Sequence, residues 1–582
     1  MSAGVQTPSW GLFLNYLRPL WRKCAILAVL LFGGIGLQLV GPQLLAAFID
    51  SATKSQGATQ MIHLALLFLG VALVNQAAGV VTNYVAQDVG WTATNSLRED
   101  LALHCLRLDM TFHNTHTPGE LIERVDGDLT ALANFFSIFL LRVVGSGLLL
   151  LGAVIVILAQ NWRVGLVLLG FVVVTLTILV VMRRLALPAG IQERVANATF
   201  TGFLEERLAG VDDLRANGGN AYVMRRYYET MRDWFHRSVN AWMRRSWIWG
   251  VTTLLFALEN AALFAISAVL FFHHDITLGM AYLFFQYNVM LQGPLEEITQ
   301  QMQEMQKAAS SLVRVRELLS ITPTIRDGVG TIPDGPLAVE FAGVDFAYNA
   351  ADGAVLHDLN FRLEPGQTLG LLGRTGSGKT TISRLIFRLY DLNQGTIRLN
   401  GVDVRDATLT NLREHIGLIT QEVQLFHASV RDNLTFFDSS IDDARIMAVI
   451  AETGLDDWFS RLADGLDTEL DAGGSGLSAG ESQLLAFVRV FLKDPGLVIL
   501  DEPSSRLDPA TEAVIERGMR KLLQGRTGII IAHRLATVQR VDSIMILDRG
   551  NIREFGARST LLRDTGSRFH ELSRIGLEEV LA

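Results

Sequence analysis

Residues 371–381 read LLGRTGSGKTT. The run before the glycines, QTLGLL (367–372), has the apolar character of a buried strand, and ISRLIFRLY (382–390) after them reads as a helix. A G-x-x-x-x-G-K-T string between a strand and a helix is a phosphate-binding loop. Gly373, Gly376 and Gly378 let the backbone curl until its N–H groups surround phosphate oxygens, and the helix start adds partial positive charge. Arg374, Thr375, Ser377 and Thr381 complete the loop. Lys379 is placed to reach the β- and γ-phosphates, and Thr380 to offer its hydroxyl to Mg²⁺.

The rest of such a metal site is supplied by LVILDE (497–502). Four apolar residues make a buried strand, and Asp501 at its end is suited to hold Mg²⁺ through water. Glu502, one residue on, can polarise an attacking water as a general base. Strand-like and helix-like stretches alternate around both motifs with glycine-rich turns between them, the pattern of an α/β nucleoside-triphosphatase domain.

Upstream of residue 335 the character changes. The chain of 582 residues is 49% hydrophobic and only 19% charged, against roughly 25% charge in soluble proteins, which points to membrane. Six runs are long enough to cross a bilayer, near 24–49, 61–85, 138–159, 163–182, 247–272 and 278–299. The first is too long for a signal-peptide core and is read as retained. Segment 183–246 carries eleven arginines, whereas the short loops on the other side hold little beyond Lys54 and Arg163. Both termini are therefore expected in the cytoplasm. The expected division is an interfacial segment 1–22, a six-helix membrane domain 23–320, a linker 321–337 and a nucleotide-binding domain 338–582.

Trp10, Phe13, Leu14, Leu17 and Leu20 recur at helical spacing in WGLFLNYLRPLWRK, which suits an amphipathic helix lying on the inner surface. Stretches 86–137 and 183–246 are polar, helical and too long for loops. The membrane helices are expected to continue into the cytoplasm and turn at TPGELIERVDGD (117–128) and LAGVDDLRANGG (208–219). The net charge of −9 argues against a nucleic-acid partner. Two cysteines, Cys24 and Cys105, argue against a disulfide framework or a thiolate metal site.

The two motifs, with LSAGE (477–481) between them, resemble the ATP-binding cassette family, and the resemblance extends over the whole chain. It implies ATP and Mg²⁺ as cofactors. It also implies that Gln421 in LITQEV is the glutamine that senses Mg²⁺ and water, and that His533 in IIIAHR contacts the γ-phosphate. By the same resemblance, Asp508 in SSRLD signals across a dimer, and Tyr348 in VDFAY stacks on adenine. The membrane half is similar to the exporter branch, which works as dimers of half-transporters whose cytoplasmic turns relay cassette motion. An ATP hydrolase coupled to translocation, in a bacterial inner membrane, is what this implies.

In that family each ATP lies between the phosphate loop of one chain and an LSGGQ loop of the other. Here Ser478 and Gly480 match, but Ala479 adds a methyl and Glu481 brings a carboxylate toward a polyanion. At about 6 Å and an effective dielectric near 20, one such pair of charges repels by roughly 3 kcal/mol. The preceding TELDAGG (468–474) also departs from the family's T-x-V-G-E-R-G, with Ala472 and Gly473 replacing glutamate and arginine. The pattern resembles one subunit of a heterodimeric exporter with one competent and one degenerate site. The partner chain would then carry the intact signature. A homodimeric lipid or drug exporter, an importer, and a channel on the same scaffold remain open, as does the cargo: small molecule, lipid or peptide. Glu259 in FALENAALF is a charged residue in mid-membrane and so a candidate for the transport path.

Overall fold

The computed structural model describes residues 11–54, 57–349, 353–474, 477–501, 509–532 and 538–575. It divides into two units: one up to Leu106 together with Pro118–Ile321, the other Arg107–Thr117 with Thr322 onward.

The described residues of the first unit are almost all helical. Its elements are α1 (Gly11–Leu17), α2 (Trp21–Thr53), α3 (Ala58–Arg107), and, in the second unit's insertion, α4 (Met110–Thr115). There follow α5 (Pro118–Ile122), α6 (Leu129–Ile138), α7 (Gly145–Gln160), α8 (Trp162–Ala209), α9 (Val211–Ala216), α10 (Asn220–Phe272) and α11 (Leu278–Ser320). Among the described residues, five helical stretches are long and apolar enough to cross a membrane. The sixth expected run forms α11, a helix of 43 residues. Gln286, Asn288 and Gln292 interrupt its apolar character, so it stands apart from the five in composition.

Two expectations change. TPGELIERVDGD is not a turn: Pro118 opens α5 and the helix runs on through a π-helical turn, Glu123–Asp128. Proline's missing N–H costs nothing at a helix start, so it initiates rather than breaks here. The reversal lies upstream, at 108–117. The N-terminal helix does form, but Phe13 and Leu17 are buried against Val89 and Ala93 of α3 instead of lying on a lipid surface. The second reversal falls where expected, with Gly210 ending α8, and Asn217 to Gly219 turning into α10.

α8 and α10 form a long antiparallel pair. Glu193 bonds Ser238 (3.1 Å) and Arg245 (2.6 Å), and Arg244 donates to the Leu185 carbonyl at 2.8 Å. α11 is tied to α2 by Tyr287, which donates to Leu39 O at 2.5 Å, and by Asp50, which accepts from Thr277 and Gly279. Buried Asp128 accepts from Ser311 (2.8 Å) and from Arg314 Nε (2.9 Å), fixing the C-terminal half of α11. A buried polar group is costly unless such partners satisfy it.

Among the described residues, the second unit contains three sheets. β1 (Val339–Phe346), β2 (Leu356–Leu363), β4 (Gln394–Leu399) and β5 (Val402–Asp403) form an antiparallel sheet in the order β2-β1-β4-β5. β3 (Thr368–Gly373), β6 (Ile416–Ile419), β9 (Leu497–Asp501), β10 (Thr527–Ile531), β11 (Ser543–Asp548) and β12 (Asn551–Ala557) form the larger sheet, order β12-β11-β3-β10-β9-β6. Its pairings are parallel except for the antiparallel edge β12. β9 and β10 are apolar along their length because both faces are covered. A short ribbon pairs β7 (Ala428–Ser429) with β8 (Glu469–Leu470).

Segment 107–117 belongs to this unit although it interrupts the membrane helices in sequence. Asn114 Nδ2 donates to the Tyr390 hydroxyl at 2.6 Å, and Asp109 accepts from Thr324.

Candidate functional site

The carboxyl ends of parallel strands form a ready crevice in α/β sheets. β10 pairs in register with both neighbours, Ile531 lying opposite Leu371 of β3 and Asp501 of β9. β6 sets Ile419 opposite Leu500, so Gln421, two residues on, lies in the exposed loop beside the end of β9. The phosphate loop, Asp501 and Gln421 thus emerge at one edge of one sheet.

The loop leads into α12 (Lys379–Ile386), whose N-cap is Gly378 with φ +106°. That conformation demands glycine, and a Cβ there would also have to displace Leu356 Cδ2, 2.5 Å away. Lys379 is 6% exposed, and its ammonium donates to the carbonyls of Gly373 (2.6 Å) and Arg374 (3.0 Å). Those carbonyls hold a buried cation in the mouth of the loop. The Ser377 hydroxyl is buried and has no hydrogen-bond partner among the described residues. A donor left unsatisfied inside a glycine-rich loop suits a phosphate oxygen. Arg374, Thr375 and Gly376 are exposed along the rim.

Thr380 Oγ1 lies 3.4 Å from Asp501 Oδ2. A hydroxyl and a carboxylate meeting at the end of a strand form an oxygen donor set of the kind that suits a hard cation. Glu502, His533 and Asp508 lie outside the described residues.

The Tyr348 ring is half-buried and edge-on to Phe346 and Tyr390, with centroids 4.9 and 5.0 Å away. Its hydroxyl meets Thr381 Oγ1 at 3.1 Å and accepts from Arg384 at 3.2 Å. The predicted adenine residue is therefore fastened to the first turn of α12.

In LSAGE, Ser478 caps a helix running Ala479–Lys493. Its hydroxyl accepts from Glu481 N (3.2 Å), and Glu481 Oε2 accepts from Ser478 N (2.8 Å), a reciprocal capping box. Glu481 Oε1 also pairs with Arg461 at 3.1 Å. The carboxylate is turned back on its own helix start, while Ser478 and Ala479 are exposed and Gly480 is buried. Gly473 has φ +74°, a left-handed backbone that penalises the side chain expected there by resemblance.

One residue escaped the sequence reading. Arg489, in the apolar run AFVRVFL of the same helix, donates to Gln424 O (2.9 Å), Asn433 O (2.7 Å) and Asn433 Oδ1 (3.1 Å). Its guanidinium lies 4.6 Å from the Phe436 ring centroid. It joins the signature helix to the segment that follows Gln421. An arginine amid apolar residues was the available signal.

Glu259 is only 3% exposed, packed inside its own chain, and makes no hydrogen bond among the described residues. Asn260 and Asn288 bond each other at 3.1 Å, joining α10 to α11. His273 and His274 lie in the short turn between those helices.

Residues 24–295 match the ABC transporter transmembrane region, and residues 356–505 match the ABC transporter domain. An ATP-dependent lipid A-core flippase of Alcanivorax borkumensis is 30% identical over 96% of this chain and 96% of its own length. An ABC transporter ATP-binding protein of Bacillus subtilis is 29% identical over 96% of this chain and 92% of its own. The solved structure of a bacterial Atm1-family ABC exporter with ATP bound superposes with a TM-score of 0.77 at 25% identity, covering 96% of this chain and 98% of that one. With a membrane region of long apolar helices and an ATPase cassette on one polypeptide, this chain belongs to the ABC transporter family, as an exporter-type half-transporter that couples ATP hydrolysis to transport.

Proposed function

We propose that this chain is one half of a dimeric exporter of the bacterial inner membrane that moves an amphiphilic cargo, lipid or small molecule, out of the cytoplasmic side. The observation that carries the reading is the meeting of Lys379, Thr380 and Asp501 at one sheet edge, on a chain whose other half is membrane helix. The flippase names among its relatives favour a lipid-like cargo. Thr380 and Asp501 are the residues that would hold Mg²⁺, with Gln421 beside them. When bound, the ion would neutralise phosphate charge.

In this reading the loop from Gly373 to Thr381 binds the triphosphate and Lys379 holds its outer phosphates. Glu502 orients and deprotonates the attacking water, and His533 contacts the γ-phosphate. Tyr348 bears on adenine. Ser478 and Gly480 serve the ATP held by the partner chain, and Asp508 lies at the join. The N-terminus and the cassette face the cytoplasm.

For the partner, Ala479 and Glu481 favour a second, different half-transporter with an intact signature. The capping box and the Arg461 pair favour the other reading, a working homodimer, since they spend the Glu481 charge locally. The transport reading is tested in inside-out vesicles holding the protein in its active assembly. ATP-dependent accumulation of a fluorescent phospholipid or cationic dye is expected. Uptake only in right-side-out vesicles would mark an importer, and ATP-independent ion current a channel.

A further inference from the structure

The α8–α10 pair encloses a cavity of about 520 Å³ that the ATP chemistry does not use. Arg183, Glu193 and Arg194 line it from α8, Arg245 and Trp249 from α10, and Glu296 from α11. Its volume is that of a small-ligand pocket, far more than one carboxylate or water cluster needs.

Its depth can be read from α10. Trp242, Trp247 and Trp249 are all strongly exposed, at 65%, 68% and 70%, on a stretch that also carries Arg244 and Arg245. Exposed indoles mixed with arginines, just before an apolar run, mark the headgroup level of a leaflet. Leu179, Leu187 and Ile248 give the lining apolar surface beside the charges, and Leu179 lies toward that run. A ligand that meets both kinds of surface has a polar head and an apolar tail.

The charges select the head. Glu193 is held by Arg245 and Ser238. Glu296 acts electrostatically on Arg183. Arg194 is exposed and has no carboxylate partner among the described residues. Three guanidiniums against two carboxylates leave one net positive charge in the lining. Guanidinium forks match the paired oxygens of phosphate, and a single surplus charge matches a phosphodiester monoanion better than a dianionic monoester.

We propose that the α8–α10 cavity is a binding site for an anionic phosphodiester amphiphile taken from the cytoplasmic leaflet. The site gives the exporter a place to seize a lipid-like molecule at the membrane surface, and it rests on the reading of 183–246 as the cytoplasmic segment.

The test is native mass spectrometry of the full-length protein in its active assembly. It is titrated with phosphatidylglycerol, with phosphatidylcholine of the same chains, and with glycerol phosphate as the free headgroup. Phosphatidylglycerol is expected to be retained about tenfold better than phosphatidylcholine, one per chain, and glycerol phosphate not to be retained. Arg194→Gln, at an exposed position free of carboxylate pairing, should lower retention about tenfold, and Arg245→Gln by as much or more. Arg184→Gln, next door but outside the cavity, should leave retention unchanged. Equal retention of the two lipids, or full retention by Arg194→Gln, overturns the site. Retention of glycerol phosphate as strong as that of the lipid overturns the amphiphile and leaves a phosphate pocket. Retention with the expected preference in a protein that transports nothing in vesicles upholds the site and counts against the exporter reading alone.

Discussion

Lys379 shows how a single position is made functional by its surroundings. Its ammonium is buried, a costly state, and the Gly373 and Arg374 carbonyls offset that cost only because the loop curls around it. The loop can curl because Gly378 takes a left-handed conformation that other residues rarely adopt. In the proposed mechanism catalysis turns on Glu502, the residue after Asp501. Glu502→Gln keeps the shape of the side chain but removes the base. ATP binding should therefore persist while turnover falls by about 100-fold or more. Nucleotide affinity by filter binding and steady-state ATPase activity, measured on one preparation, separate the two effects. Near-normal hydrolysis would show that another group takes the proton. Glu481 illustrates the limit of reading charge from sequence. Coulomb's law at an assumed distance gives repulsion, yet the side chain closes a capping box and meets Arg461. A rotamer choice decided the electrostatics.

At the scale of elements, Arg489 links the signature helix to the glutamine-loop segment. Burial pushes its guanidinium down to about 10, still above the neutral range, so it stays charged there and lends no pH dependence to stability near neutrality. Three acceptors from Gln424 and Asn433 satisfy it. Arg489→Ala removes the partner of the buried Asn433 carbonyl and should cost roughly 1–3 kcal/mol. The expected sign is an apparent melting temperature several degrees lower, with ATPase activity reduced. Arg489→Lys should recover little, since a point charge cannot span three acceptors. An unaltered melting curve for Arg489→Ala would refute the link. The phosphate loop, β9 and five apolar crossings were legible in the sequence because each is a contiguous pattern with its own physics. Pro118 was misread because proline marks both turns and helix starts, and only the tertiary path tells them apart. The capping box is masked in the sequence because its serine and glutamate occupy the positions of the family's signature serine and glutamine. Phe13 and Leu17 looked like lipid-facing residues because an apolar stripe is the same whether it meets lipid or α3.

At the scale of the whole molecule, the question is what LSAGE offers a second chain. Within the chain the loop is well formed: Ser478 caps its helix, and the hydroxyl that accepts from Glu481 N can still donate outward. What differs from LSGGQ is a methyl at Ala479 on the exposed side and a carboxylate whose charge Arg461, itself well exposed, offsets only in part. If the residual repulsion matters, every site of a lone-chain dimer suffers it, and ATPase activity of this chain alone should be weak. Ala479→Gly with Glu481→Gln should then raise it by about tenfold, the effect of about 1.4 kcal/mol in the transition state. Glutamine preserves the capping box, so the repair removes charge without removing the cap. A second variant separates the sources: Arg461→Ala should lower lone-chain activity further if that pair shields the partner's ATP. In company with a half-transporter bearing an intact signature and lacking its own base, the repair should change little, because turnover then occurs at this chain's Lys379 and Glu502. A lone chain already at full rate, indifferent to both the repair and Arg461→Ala, would establish the homodimer and leave LSAGE as a variant that its own fold has neutralised.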